Sequence, residues 1–275
     1  MQTHRLMAVL AHPDDESLGM GGTLAKYASE GVEVYLLTAT RGDSGRYRGL
    51  RPGDEQHPGA SVLGTIREAE LRAAALALGI HEVSLLDYRD QHLDRANPNE
   101  AIAAIVQHIR GVRPQVVVTF GPDGAYGHPD HVAISQFTTA AIVAAADPAF
   151  GDDAIQRGQP HAVSKLYYLA WSESTWNAYQ AAFRKLVSTV DGVERQAVPW
   201  PKWEITTVID TRNFWSTVWR AISCHESQIS AYERLSQLSP VDHEALWGCQ
   251  SFYRVFSTVS GGRARETDLL EGIRT

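Results

Sequence analysis

The feature that most restricts the fold is an alternation, over the first 145 residues, of short β-branched runs with longer helical patterns. Residues 6–11, 32–38, 83–86 and 116–120 read as buried strands. Residues 16–30, 66–78, 100–112 and 131–146 read as helices, the second rich in Ala, Leu and Glu and closed by the stop signal Gly79. Units of this kind build a mainly parallel sheet with helices on both faces, so the expected fold is α/β and Rossmann-like. Beyond residue 145 the pattern loosens into an α+β elaboration, with strands expected at 165–170, 206–209 and 252–257 and a helix at 214–223. With no Ser/Gly-rich linker and no repeat, the expectation is a single domain over 1–275, with a core at 1–145 and an elaboration at 146–275 that lines the pocket. Stretches 41–64 and 147–161 read as long loops of the sort that either serve as lids or binding loops or are plainly disordered.

Composition narrows the function classes. A net charge of -7 argues against a general nucleic-acid binder, which shows a basic face. No apolar run reaches the roughly 20 residues of a membrane helix. The opening Arg5-Leu6-Met7-Ala8-Val9-Leu10 is short for a signal-peptide core and lacks a cleavage site, which makes a cytoplasmic setting the default expectation. The two cysteines, Cys224 and Cys249, form no CxxC pair and read as buried reduced thiols.

Two motifs carry the chemistry. Ala11-His12-Pro13-Asp14-Asp15-Glu16 falls between the first strand and the first helix, where open α/β sheets bind ligands. A helix cap accounts for one Asp, for Pro13 near the first turn and for Glu16 on the dipole. It leaves His12 and the second Asp unexplained. Gly121-Pro122-Asp123-Gly124-Ala125-Tyr126-Gly127-His128-Pro129-Asp130-His131 follows the strand ending near Phe120 and also opens a helix. His128 and His131 are three apart and share one face of a first helical turn.

Two His and one carboxylate with an open fourth position form a known catalytic zinc set, and His12, Asp15 and His131 supply it. Asp14 could then accept a proton from an activated water, and His128 could stabilise an oxyanion or protonate a leaving amine.

The paired motifs resemble those of the LmbE-like, PIG-L-type N-deacetylases, which include the mycothiol- and bacillithiol-pathway deacetylases and the glycosylphosphatidylinositol-precursor deacetylase. The resemblance covers about the first 135 residues and, more faintly, Ser223-Cys224-His225-Glu226-Ser227-Gln228. It implies one divalent metal per chain, usually zinc, with Fe2+ or another divalent ion as the alternative, on His12, Asp15 and His131. It puts the general base on Asp14, charge stabilisation on His128 and support of the tetrahedral intermediate on Tyr126. Substrate contacts fall on Arg67 and Asp90, while Asp130 reads as a hydrogen-bond acceptor behind His12 or His131. The implied substrate is a small N-acetylglucosamine-type amino sugar, with no nucleic-acid or membrane partner and with homo-oligomerisation left open.

Two readings compete with this one: an amidase of thiol–sugar conjugates, and a non-catalytic sugar or metal binder on the same fold. A binder predicts loss of Asp14 or His128, and both are present. Nucleotide binding is disfavoured, because Gly19-Met20-Gly21-Gly22 lies inside the first helix rather than before it as GxGxxG. Arg41-Gly42-Asp43 borders the pocket edge, and Arg46, Arg48 and Arg51 read as an exposed charged loop. Most tryptophans of the C-terminal half read as core, with some available as an apolar platform for a sugar ring or acyl chain.

Overall fold

The computed structural model describes residues 3–151, 158–183, 187–190, 192–262 and 264–273. The strands are β1 (Arg5–Leu10), β2 (Glu33–Thr40), β3 (Glu82–Tyr88), β4 (Val116–Phe120), β5 (Lys165–Leu169), β6 (Val187–Val190), β7 (Val193–Gln196), β8 (Thr207–Asp210) and β9 (Cys249–Ser257). Seven of them form one sheet in the order β3-β2-β1-β4-β5-β9-β8, and β6 and β7 pair separately as a hairpin. The pairings from β3 to β5 are parallel, while β9 runs antiparallel to both β5 and β8. The expected α/β, mainly parallel architecture is what the chain adopts.

The principal helices are α1 (Asp15–Ser29), α2 (Ala60–Leu78), α3 (Pro98–Val112), α4 (Pro129–Ala146), α5 (Glu173–Phe183), α6 (Trp215–Ser223) and α7 (Pro240–Trp247). Strand order runs one way from β1 to β3 and the other way from β4 to β5. Right-handed crossovers then put α1 and α2 on one face and α3 and α4 on the other. The packing agrees, since α1 meets α2 and α6 while α3 meets α4. Strands covered on both sides lose the apolar/polar alternation. Accordingly Leu6, Met7, Ala8, Val9 and Leu10 are all buried, as are the residues of β4.

Two expectations need correction. Residues 41–64 are loop only as far as Gly59, and α2 begins at Ala60. Gly64 is inside that helix because a Cβ there would come within 3.3 Å of the Arg41 Cβ, so a residue that reads as loop serves close packing. The cysteines are free, as expected, but Cys224 is half-buried and Cys249 exposed. The expected loop 147–161 includes 152–157, which lie outside the described residues.

The C-terminal half is knit into the same sheet. Lys165 on β5 is fully buried and donates to Glu266 at 2.7 Å. Glu266 also accepts from Arg254 (2.6 Å), Tyr167 (2.7 Å) and Thr207 (3.0 Å), so its charge is fully hydrogen-bonded. The tryptophans mostly build core: Trp247 is fully buried in a second cluster, with Trp171, Trp215 and Trp219 packed against it.

Removing one member of a buried ion pair leaves the other charge uncompensated. Glu266→Gln should therefore lower stability by about 3–5 kcal/mol. The check is the urea unfolding midpoint, which should fall with an unchanged slope.

Candidate active site and metal centre

The candidate site lies where strand order reverses, between the adjacent parallel strands β1 and β4. Crevices outside the carboxyl ends of strands at such a reversal are the ligand sites of open α/β sheets. His12 and Asp15 follow β1, and His131 sits in the first turn of α4 after β4. Both connections need unusual backbone. Asp14 has φ 109° and ψ -24°, in the left-handed region that non-glycine residues avoid. It occupies the N-cap position of α1 without making a side-chain cap hydrogen bond, so the competing reading of this motif as a plain helix cap is not what the structure adopts. In the other loop Gly124, Ala125 and Gly127 all have positive φ. A Cβ on Gly124 would lie 2.8 Å from Val132 Cγ2, so only glycine lets this turn rest on α4.

His12 Nδ1 lies 3.1 Å from His131 Nε2 and 3.5 Å from Asp15 Oδ2, and His131 Nε2 lies 3.3 Å from Asp15 Oδ1. Ligand atoms about 2.0–2.2 Å from a tetrahedral zinc are themselves about 3.3–3.5 Å apart, so this triangle has the size of a ligand set. The opposite ring nitrogens are held by acceptors. His12 Nε2 faces Asp130 Oδ2 at 3.2 Å and Asp90 Oδ1 at 3.1 Å, and His131 Nδ1 faces the Gly124 carbonyl at 3.3 Å. Donation there leaves the lone pairs of His12 Nδ1 and His131 Nε2 directed into the triangle, the usual arrangement for metal-binding histidine. The Phe120 ring stacks on His131 at 4.0 Å and fixes its plane.

Two other trios bring potential ligand atoms together: His12 with His128 and His131, and His12 with Asp90 and Asp130. The carboxylates of the second already accept backbone N–H groups, Asp130 from Gln91 (2.7 Å) and Leu93 (3.1 Å) and Asp90 from Ser44 (3.0 Å). Both lie behind His12, within hydrogen-bond distance of its Nε2. Burial disfavours a charged His12, but Asp130, Asp15 and Asp90 outweigh it and hold the pKa well above the ordinary value. Burial likewise opposes ionisation of Asp15, and the neighbouring His131 and His12 reverse that and hold its carboxyl well below the usual range. A buried nest with this excess of carboxylate suits a cation.

His128 occupies the N-cap of α4, where its Nδ1 accepts from the Asp130 backbone N–H at 3.2 Å. Its Nε2 therefore carries the proton. Burial, and then the charges of His12 and His131, push its pKa down to about 4, so the ring is neutral near pH 7. Tyr126 sets its ring edge against His131, centroids 5.3 Å apart, and burial raises its hydroxyl pKa. Arg67 is 5% exposed and Asp90 4%, so both are buried rather than presented at the surface. Arg67 donates to the Gly42 carbonyl (2.9 Å), to the Pro13 carbonyl and to Asp14 Oδ2 (3.1 Å). All eight residues singled out from the sequence thus lie in one connected cluster.

Sequence reasoning undervalued Glu16 and His225. Glu16, read from the sequence as a partner of the helix dipole, is fully buried and pairs with His225 Nε2 at 2.8 Å. Trp200, from the C-terminal half, donates to Asp123 at 3.2 Å and closes over Gly121 on the second loop. Arg195 of the β6–β7 hairpin packs on Gly127.

The model of the PIG-L family, described as GlcNAc-PI de-N-acetylase, matches residues 7–142. A Rhodococcus opacus (strain B4) protein named 1D-myo-inositol 2-acetamido-2-deoxy-alpha-D-glucopyranoside deacetylase is 37% identical over 250 residues, covering 84% of this chain and 83% of the relative. The chain belongs to the PIG-L family of de-N-acetylases. It is a hydrolase acting on amide carbon–nitrogen bonds. Among solved structures, N,N'-diacetylchitobiose deacetylase from Pyrococcus horikoshii superposes with a TM-score of 0.67 at 19% identity, over 92% of this chain and 84% of that one. The 4-carboxy-2-hydroxymuconate hydratase GalB from Pseudomonas putida KT2440 gives 0.68 at 18% identity, over 95% and 100%. A hydratase and a deacetylase at equal structural distance show that the fold alone does not select the reaction. Kinship in sequence does. No helix among the described residues is long and apolar enough to cross a membrane.

Because Asp130 orients His12 from behind, Asp130→Asn should weaken divalent-metal binding by about 10- to 100-fold while the fold persists. Competition against a chromogenic chelator reads this directly, and unchanged affinity would show that Asp130 does not orient a ligand.

Proposed function

We propose that the chain removes the acetyl group from a 2-acetamido-2-deoxy sugar, with one divalent metal, zinc first among them, held by His12, Asp15 and His131. The observation that carries this reading is the triangle of His12 Nδ1, Asp15 and His131 Nε2, spaced 3.1–3.5 Å, with Asp14 next in sequence to a ligand. When bound, such a metal lowers the pKa of a water and polarises an acyl carbonyl. Asp14 takes the proton from the attacking water and returns it to the sugar nitrogen as the amide C–N bond breaks, giving acetate and a free amine. Arg67 donates to Asp14 Oδ2 and holds the carboxylate in place. His128, neutral with its proton on Nε2, suits hydrogen-bond donation to the carbonyl oxygen as charge grows there, which favours that role over donating a proton to the amine. Tyr126, whose ring centroid lies 6.0 Å from that of His128 and 5.3 Å from that of His131, adds a hydroxyl as a second donor.

The relatives' substrate supports N-acetylglucosamine joined to inositol as the class to test first. Trp200 and the β6–β7 hairpin, both packed on the loop that carries Tyr126 and His128, support a single domain whose C-terminal half walls the sugar site. The free cysteines fit a reducing, cytoplasmic setting.

The test is acetate release from a panel of N-acetylglucosaminides, including the inositol conjugate, with metal content measured alongside. Turnover should vanish on chelation and return with added zinc. Cleavage confined to thiol conjugates would instead favour the amidase reading, and stoichiometric metal without any turnover would favour a binder. Asp14→Asn should keep one metal per chain and lose about 10²–10⁴-fold in kcat. Wild-type turnover in that variant would remove Asp14 as the base.

A further inference from the structure

Asp14 is held in a backbone conformation it does not favour, and the structure shows what holds it. Its N–H donates to Glu16 Oε2 at 2.9 Å. Glu16 Oε1 accepts from Ser17 Oγ at 2.5 Å and faces His225 Nε2 at 2.8 Å. Both Glu16 and His225 are fully buried. A carboxylate has no proton to give, so the imidazole must carry one on Nε2 and donate it. His225 Nδ1 has no partner among the described residues. Burying a polar atom unsatisfied is costly, so contact with Glu16 is what accounts for an imidazole at this place.

The same C-terminal segment reaches Asp14 by a second route. Ser227 donates from its N–H and from its hydroxyl to Glu70 on α2, both at 2.6 Å. Glu70 lies one turn from Arg67, which grips the Asp14 side chain. Residues 225–227 therefore brace the Asp14 backbone through Glu16 and its side chain through the helix that carries Arg67.

We propose that His225 is a positioning residue for the reaction: through Glu16 it holds the Asp14 backbone in the left-handed conformation that aims its carboxylate, although His225 lies 209 residues from Glu16 in the chain. The inference rests on the assignment of Asp14 as the base.

The test compares two neutral amides at one site. A Gln side chain places its NH2 near the His Nε2 position, whereas Asn places it near Nδ1 and falls short of Glu16. His225→Gln should keep kcat within about threefold, while His225→Asn should lose about 10- to 100-fold, the scale on which a small misplacement of a catalytic group acts. Both should hold one metal per chain and a near wild-type KM, because neither touches metal or sugar. Equal kcat in the two variants, whether high or low, would overturn the proposal, as would loss of metal in parallel with kcat. A crystal structure of His225→Asn reads the same claim without turnover. Asp14 leaving positive φ or losing its bond to Glu16 supports the brace, and an unmoved Asp14 refutes it. If the backbone moves but no wild-type acetate release is found, the brace stands and the functional reading fails.

Discussion

The parallel pairing of β1 with β4 is the contact on which the site depends. Leu6, Met7 and Ala8 pair with Val116, Val117 and Val118, and the two strands leave the sheet side by side in the same direction. Each then turns at once into a helix that packs on a different face. The gap opened by that divergence receives His12 and Asp15 from one turn and His131 from the other. Residues 119 positions apart in the chain come within 3.1 Å because two apolar strands chose each other. The binding energy of the site's geometry thus comes from buried Val and Leu, which do no chemistry.

Gathering four aspartates and three histidines in one crevice is costly unless each finds a partner. The protein meets that cost by layering. The innermost atoms face one another across the ligand triangle. Behind them Asp130 and Asp90 accept both ring and backbone N–H groups, and the backbone donors come from the loop after β3 and from Ser44 after β2. Loops from three neighbouring strand ends therefore fix one histidine ring. That explains why the 41–59 loop stays close to the crevice although much of its surface is charged: its Asp43 and Ser44 bind the Asp90 backbone and side chain.

Legibility of the sequence follows how local the cause is. The core strands were readable because burial on both faces writes an unbroken apolar run, and α2 was readable from its end because Gly79 adopts φ 76° there. The β6–β7 hairpin was not, since every residue of β7 is exposed and no alternation marks it. The start of α7 is written locally, since Ser239 at the N-cap and Asp242 in the first turn form a capping box. In the site, His12, Asp14, Asp15, His128 and His131 stood out because two turn motifs concentrate more ionisable residues than a helix cap needs. His225 stood out only as a member of the faintly matching segment 223–228. A single histidine in a helical end says nothing by itself, and the carboxylate that explains it belongs to the first motif.

That last pairing bears on how such a chain can divide its labour. The N-terminal 145 residues carry every proposed ligand and acid–base group, and the family model, over residues 7–142, lies within them. Yet Glu16, at the centre of the first motif, would lack the imidazole it faces at 2.8 Å if β1 to α4 folded alone. The C-terminal half supplies His225 to Glu16, Gln250 to Thr23 on α1 at 2.6 Å, and Ser227 to Glu70 on α2. Each bond fastens the face of α1 and α2 that lies behind Asp14 and Arg67. The elaboration is therefore part of what sets the crevice, and variation in it can retune the site without changing a single residue of the two motifs.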